Sequence, residues 1–193
     1  MAYYIYENLD RTKTVVLTFL RSELLNDLDQ YGYVEGDVMR VGDPKNEAED
    51  HLRHGRHQVQ DITQDGNIDL VTRKLDLKLA WCREALYPYT KDPVMDNVEL
   101  DDILEDTDVY TIAMTVPDDF SSTTAEYLEQ LIHNLLVWWV LYYWLSITKP
   151  EGAEKWLALA KDGEDELKGA LARVCGRVYR RMSPFDSGTL RRY

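Results

Sequence analysis

Residues 131–147, LIHNLLVWWVLYYWLSI, are apolar almost all the way round, and this stretch constrains the fold more than any other. A helix with one solvated face needs polar residues on that face. Here the eleven residues Leu135 to Leu145 contain no charge, amide or hydroxymethyl group. They include Trp138, Trp139 and Trp144, three of the five tryptophans, with Tyr142 and Tyr143 between them. A helix of this kind must be covered on most sides, by its own domain or by other subunits. Aromatic residues dominate buried energetics and interface anchors, so Trp138, Trp139, Tyr142, Tyr143 and Trp144 form a candidate interface, ahead of a ligand-stacking surface. A spanning helix is the poorer reading. The run falls short of roughly 20 apolar residues, carries His133, Asn134 and Ser146, and places its aromatics mid-run instead of at the ends.

The chain has 193 residues, enough to bury a core without disulfides or metals, and one domain is expected. Cys82 and Cys175 lie far apart in helical patterns and read as reduced core residues of a reducing compartment. The start, MAYYIYENLD, has no basic segment ahead of an apolar one, so no secretory signal is expected. Net charge is −13, but unevenly placed. From Lys168 to Tyr193 seven basic residues face the single Asp186, a net +6, which leaves −19 on the other 167 residues. An acidic body with a basic tail disfavours nucleic acid as a partner. It favours contacts between copies, with Arg177, Arg180 and Arg181 as candidate interface residues. Helix-dipole compensation explains the same arginines without a partner.

The spacing predicts a mainly α-helical bundle. Residues 1–8 read as a strand or anchoring arm, with AYYIY of high β propensity. A helix is expected over 9–31, where Leu9, Val16, Leu20, Leu24, Leu28 and Tyr31 recur at helical steps, with Gly32 as its stop. Residues 33–60, polar and glycine-containing, read as an arm or loop. A second helix fits 68–87, broken by Pro88. The alternation VYTIAMTV at 109–116 is a strand, the minor β element. Two capping boxes, Thr123 with Glu126 and Thr148 with Glu151, then frame a long helical hairpin over 123–182 that Asp162-Gly163 can kink, followed by a tail over 183–193.

Signals for chemistry are weak. His51, His54 and His57, with Glu47, Glu49 and Asp50 nearby, form the best metal candidate. Their spacing matches neither HExxH nor a zinc finger, so a polar loop is preferred and no cofactor is assigned. The run Asp61, Asp65, Asn67 and Asp69 lacks calcium-loop spacing, and helix capping accounts for it. The acidic run from Glu99 to Asp108 reads as a solvated face. His133 lies at the entry to the apolar run without an identifiable Ser, Cys or carboxylate partner, so it reads as a core histidine bonded to a backbone carbonyl.

Four stretches, DGNIDLVTRKLDL (65–77), LYPYTK (86–91), LIHNLLVWWVLYYWLSITKPE (131–151) and RVYRRMSPF (177–185), resemble an uncharacterised protein family encoded in phages and prophages of gut bacteria. The resemblance covers roughly residues 57–185 and carries no catalytic motif. It implies a virion morphogenesis role, as in neck, head–tail connector or completion proteins. Such proteins work as rings, placed in the bacterial cytoplasm or the virion. The expectation is a non-enzymatic structural or adaptor protein that self-assembles or binds other virion proteins. The alternatives are a small metal-dependent enzyme and a ligand-binding regulatory module.

Overall fold

A computed structural model describes residues 2–8, 12–39, 50–90, 108–118 and 120–181. Two strands, β1 (Ala2–Glu7) and β2 (Thr12–Leu20), lead into helix α1 (Arg21–Asp37). Helix α2 (Asp50–Gln60) and a 3-10 turn (Asp61–Thr63) precede α3 (Asp65–Thr90). Strand β3 (Val109–Pro117) and the hairpin α4 (Ser122–Thr148) and α5 (Pro150–Arg181) complete the described chain. The fold is therefore mainly α with a small antiparallel sheet, ordered β1-β2-β3.

Residues 12–20 are not the first half of a helix. Five of the nine residues in TKTVVLTFL are β-branched, which favours a strand over a helix. Val15, Leu17 and Phe19 alternate inward and pair across to Met114, Ile112 and Tyr110, all buried. The helical spacing that joins Val16 to Leu20 is a step of four, which a period of two satisfies equally; both residues lie on the outer face. The chain then turns directly into α1. Its first amide, Arg21 N–H, donates to the Asp108 carbonyl just ahead of β3 at 3.0 Å, so the sheet supplies part of the cap that the Leu20 side chain does not.

Helix α1 also runs past Gly32. A Cβ there would lie 3.0 Å from Ile62 Cγ2 and 3.3 Å from the Val59 carbonyl oxygen. Gly32 is thus a close-packing position against the 3-10 turn and α2, not a helix stop. The segment expected as an arm over 33–60 holds the end of α1 and all of α2, with residues 40–49 outside the described set. Helix α3 is longer than 68–87 at both ends, and its backbone continues through Pro88 to Thr90; the proline removes one N–H bond two residues before the helix finishes.

The strand at 109–116 and the hairpin over 123–182 are as the pattern predicts, with β3 one residue longer. The capping details differ. The α4 cap is Ser121, whose hydroxyl accepts from Thr124 N–H at 3.2 Å. Thr148 donates back to the Trp144 carbonyl at 3.0 Å and does not cap α5. Helix α5 passes Asp162-Gly163 unbroken; Gly163 is buried, and a Cβ there would lie 3.3 Å from the Trp138 ring. Helix α4 is the hub: it touches α5, α1, α2, α3, β1 and β2. Among the described residues it is also the one helix long and apolar enough to cross a membrane by length and composition, and 56% of its most apolar 18-residue stretch is buried by the chain itself.

The two sides of β2 should respond differently to truncation. Leu17→Ala removes a fully buried side chain and is expected to cost about 2–5 kcal/mol in chemical denaturation. Val16→Ala, on the outer face, is expected to cost no more than about 1 kcal/mol. Equal losses at the two positions would contradict the strand.

Candidate functional site

The aromatic run is largely covered by its own chain. Trp144 is buried and its indole N–H donates to the Val59 carbonyl at 3.0 Å, tying α4 to α2. Trp138 is half-buried against Gly163 of α5. Trp139, Tyr142 and Tyr143, also half-buried, form a cluster with ring centroids 5.4–5.8 Å apart. Lysines of α3 roof it. Lys74 Nζ lies 4.3 Å from the Tyr143 ring centre, and Lys78 Nζ lies 4.3 Å from Trp139 and 3.7 Å from Trp81. Lys78 is itself buried and pairs with Glu164 of α5, so this ammonium joins three helices. Its neighbour Cys82 is buried, and desolvation pushes the thiol up to about 12, which rules out a ready nucleophile at neutral pH.

Two further polar clusters sit between α1 and the hairpin. In the first, His133 Nε2 lies 2.7 Å from Asp27 Oδ2. His133 is 1% exposed and Asp27 sits at the surface end of the pair. The carboxylate partner that the sequence pattern does not reveal therefore comes from α1, and the expected backbone bond is replaced by a His–Asp pair. One turn away on α4, Glu129 is buried; its Oε1 and His133 Nδ1 make no hydrogen bond to a described residue. Burial pushes the Glu129 carboxyl above its ordinary range, with Glu126 and Glu23 acting in the same direction and His133 against it. The spacing of Glu129 and His133, four apart on one helix, is legible in the sequence; Asp27 is legible only in the fold. The arrangement orients an imidazole and strengthens a carboxyl's hold on its proton, but no nucleophile is placed beside it among the described residues.

In the second cluster, Glu35 is 3% exposed at the end of α1. Its carboxylate accepts from Lys149 Nζ at 3.1 Å, from Lys155, and from the Trp156 indole N–H at 3.2 Å. Lys149 also donates to the Glu35 carbonyl at 3.2 Å. Burial alone would raise this carboxyl; bonds and charges from Lys155 and Lys149 outweigh it and hold the group below its ordinary range. With both carboxylate oxygens engaged, Glu35 is a clamp between α1 and the turn of the hairpin.

The metal candidates do not converge. His54 and His57 are exposed on α2, His51 has a side chain outside the described set, and no group of three or more His, Cys, Asp or Glu side chains suited to a metal is present among the described residues. The side chains of Arg177, Arg180 and Arg181 also lie outside the described set, although the α5 backbone carries them.

The outer face of the sheet is distinctive by its chemistry. Three cross-strand rows run Tyr6–Thr14–Thr115, Tyr4–Val16–Ala113 and Ala2–Thr18–Thr111. None of these residues is charged, in a chain where 30% of residues are. Tyr4 and Tyr6 are 52% and 57% exposed. The face offers hydroxyls, methyls and aromatic rings for contact and no carboxylate, amine, imidazole or thiol. No protein-family model, curated protein or solved structure matches the chain.

The two buried glutamates should behave oppositely. A depressed carboxyl stabilises above its unfolded value and loses that contribution as pH falls through the folded one. Glu35→Gln is therefore expected to cost roughly 3 kcal/mol at neutral pH, with the difference from wild type shrinking below the ordinary value of 4.5. A raised carboxyl opposes the fold increasingly as pH rises from the unfolded value to the folded one, and in full above it. Glu129→Met is expected to stabilise by about 1 kcal/mol at neutral pH and by less in acid. Denaturant midpoints across a pH series measure both; parallel pH profiles for the two variants would contradict the assignment.

Proposed function

We propose that this protein is a non-enzymatic structural or adaptor subunit that works by self-assembly. The observation that carries the reading is the uncharged outer face of the sheet on an otherwise acidic molecule. Copies at net −13 repel one another over most of their surface. A patch of tyrosine, threonine, valine and alanine is where they approach without setting like charges together. Tyrosine is a favoured interface residue because it supplies large contact area with few rotatable bonds and a polar tip. The resemblance read over roughly 57–185 implies a virion setting for such a subunit, in a neck or head–tail connector whose copies contact through helices and extended arms.

Light scattering over a concentration series, at about 0.1 M and about 1 M salt, tests this reading. Raising salt shortens the screening length from ~10 to ~3 Å and so separates charged from uncharged contacts. An oligomer that persists or strengthens at high salt is the expected result, because the contact face carries no charge and mutual repulsion falls. A monomer at every concentration and both salt levels would overturn the proposal.

A further inference from the structure

We infer that β1 is the docking edge for β1 of a second copy, joining two sheets into one six-stranded antiparallel sheet across a two-fold axis. The inference deepens the self-assembly reading and rests on it.

The direction of the backbone groups comes first. Asn8 N–H donates to the Thr12 carbonyl at 2.9 Å, which makes Asn8 and Thr12 a hydrogen-bonded pair. Such pairs alternate along an antiparallel ladder. The register then makes Tyr6–Thr14, Tyr4–Val16 and Ala2–Thr18 the bonded pairs. Tyr3, Ile5 and Glu7, between them, point their N–H and C=O groups away from β2, along the outer edge. Those groups make no hydrogen bond to another described residue.

Natural sheets guard such edges with prolines, bulges, lysines or a covering element. Strand β1 has none of the first three. Its register with β2 is unbroken from Ala2 to Glu7, and its single charge is the terminal Glu7. The opposite edge is treated differently: α3 packs along β3, and Arg83 Nη2 donates to the Thr111 carbonyl at 2.8 Å. Among the described residues α4 also touches β1, but nothing pairs with the outward backbone groups of that strand, whereas the β3 edge is partly closed. Association through a single open edge is isologous and stops at two copies, whereas two open edges would propagate.

Electrostatics selects the occupant. An added strand must approach an acidic molecule, and another copy of β1 brings one charge in six residues. With Tyr4 opposite its symmetry mate, Tyr3 of one copy exchanges hydrogen bonds with Ile5 of the other. The two Glu7 side chains then stand at opposite ends of the new ladder, about 20 Å apart at ~3.4 Å per residue, well beyond screening range. On the outer face, Tyr4 and Tyr6 of the two copies merge into one aromatic strip.

The bond pattern supplies a selective variant. Ile5→Pro removes an outward N–H and leaves every β1–β2 bond in place, because proline is tolerated on an edge strand whose N–H faces outward. Tyr4→Lys places two like charges across the axis on a side chain that is already exposed. Full-length protein is followed by light scattering, circular dichroism and amide hydrogen exchange. The expected result is a wild-type mass that halves in both variants with unchanged circular dichroism. In concentrated wild type the Tyr3 and Ile5 amides are expected to be protected as well as those of Tyr4 and Tyr6, and to lose protection on dilution. An oligomer whose mass is unchanged in both variants, with Tyr3 and Ile5 amides exchanging freely, overturns edge pairing and leaves self-assembly standing. A wild-type monomer overturns both. If Ile5→Pro unfolds, Tyr4→Lys and the amide pattern decide.

Discussion

Covering α4 is the constraint from which the rest of the structure follows. A helix without a polar face cannot sit at the edge of a domain, so other elements must pack around it. The chain meets this with α5 along one side, α1, α2 and α3 on others, and the end of the sheet where β1 and β2 meet it. The covering is not purely apolar. Lys74 and Lys78 lie over Tyr143, Trp139 and Trp81, so the α3 side uses ammonium groups on ring faces. That choice lets a half-buried aromatic surface border solvent without presenting bare rings to it.

The same packing forces polar groups inward and handles them in two ways. Glu35 is surrounded by donors from both sides of the hairpin turn, and its charge is retained. Glu129 is pushed above its ordinary range by burial and by acidic neighbours, against a histidine whose Nε2 is committed to Asp27, so its charged form is disfavoured. Two glutamates of similar burial thus take opposite protonation tendencies because of what faces them, not how deep they lie. Nothing in the local sequence around either residue distinguishes them; the difference is made by Lys149, Lys155 and Trp156, more than a hundred residues downstream of Glu35.

This explains what the sequence disclosed and what it hid. The strand over 109–116 and the hairpin over 123–182 were legible because their periods are unambiguous: Tyr110, Ile112, Met114 and Val116 alternate cleanly, and α4 is too apolar to be anything but buried. Residues 12–20 carry a misleading pattern because Val16, Leu20 and Leu24 continue a four-residue step across a boundary between strand and helix. The strand is fixed by its neighbours, Tyr3 and Ile5 on one side and β3 on the other, which a helical template does not see. Gly32 looks like a helix stop in the sequence because nothing local shows Ile62 pressed against it. The Asp27–His133 pair spans more than a hundred residues and has no local signature.

Net charge and edge protection together shape what the surface can do. A strongly acidic molecule is kept apart from its copies by repulsion, and repulsion is weakest where charge is absent. In this fold the absence of charge coincides with the sheet: its outer face carries none in three successive rows, and β1 carries only the terminal Glu7. Had both edges been open, such a sheet would be a template for unlimited addition. Among the described residues, Arg83 and α3 cover the β3 side, while the outward backbone groups of β1 meet no hydrogen-bond partner. In the proposed assembly the acidic body disfavours other modes of approach, and pairing through the β1 edge sets two copies in one orientation.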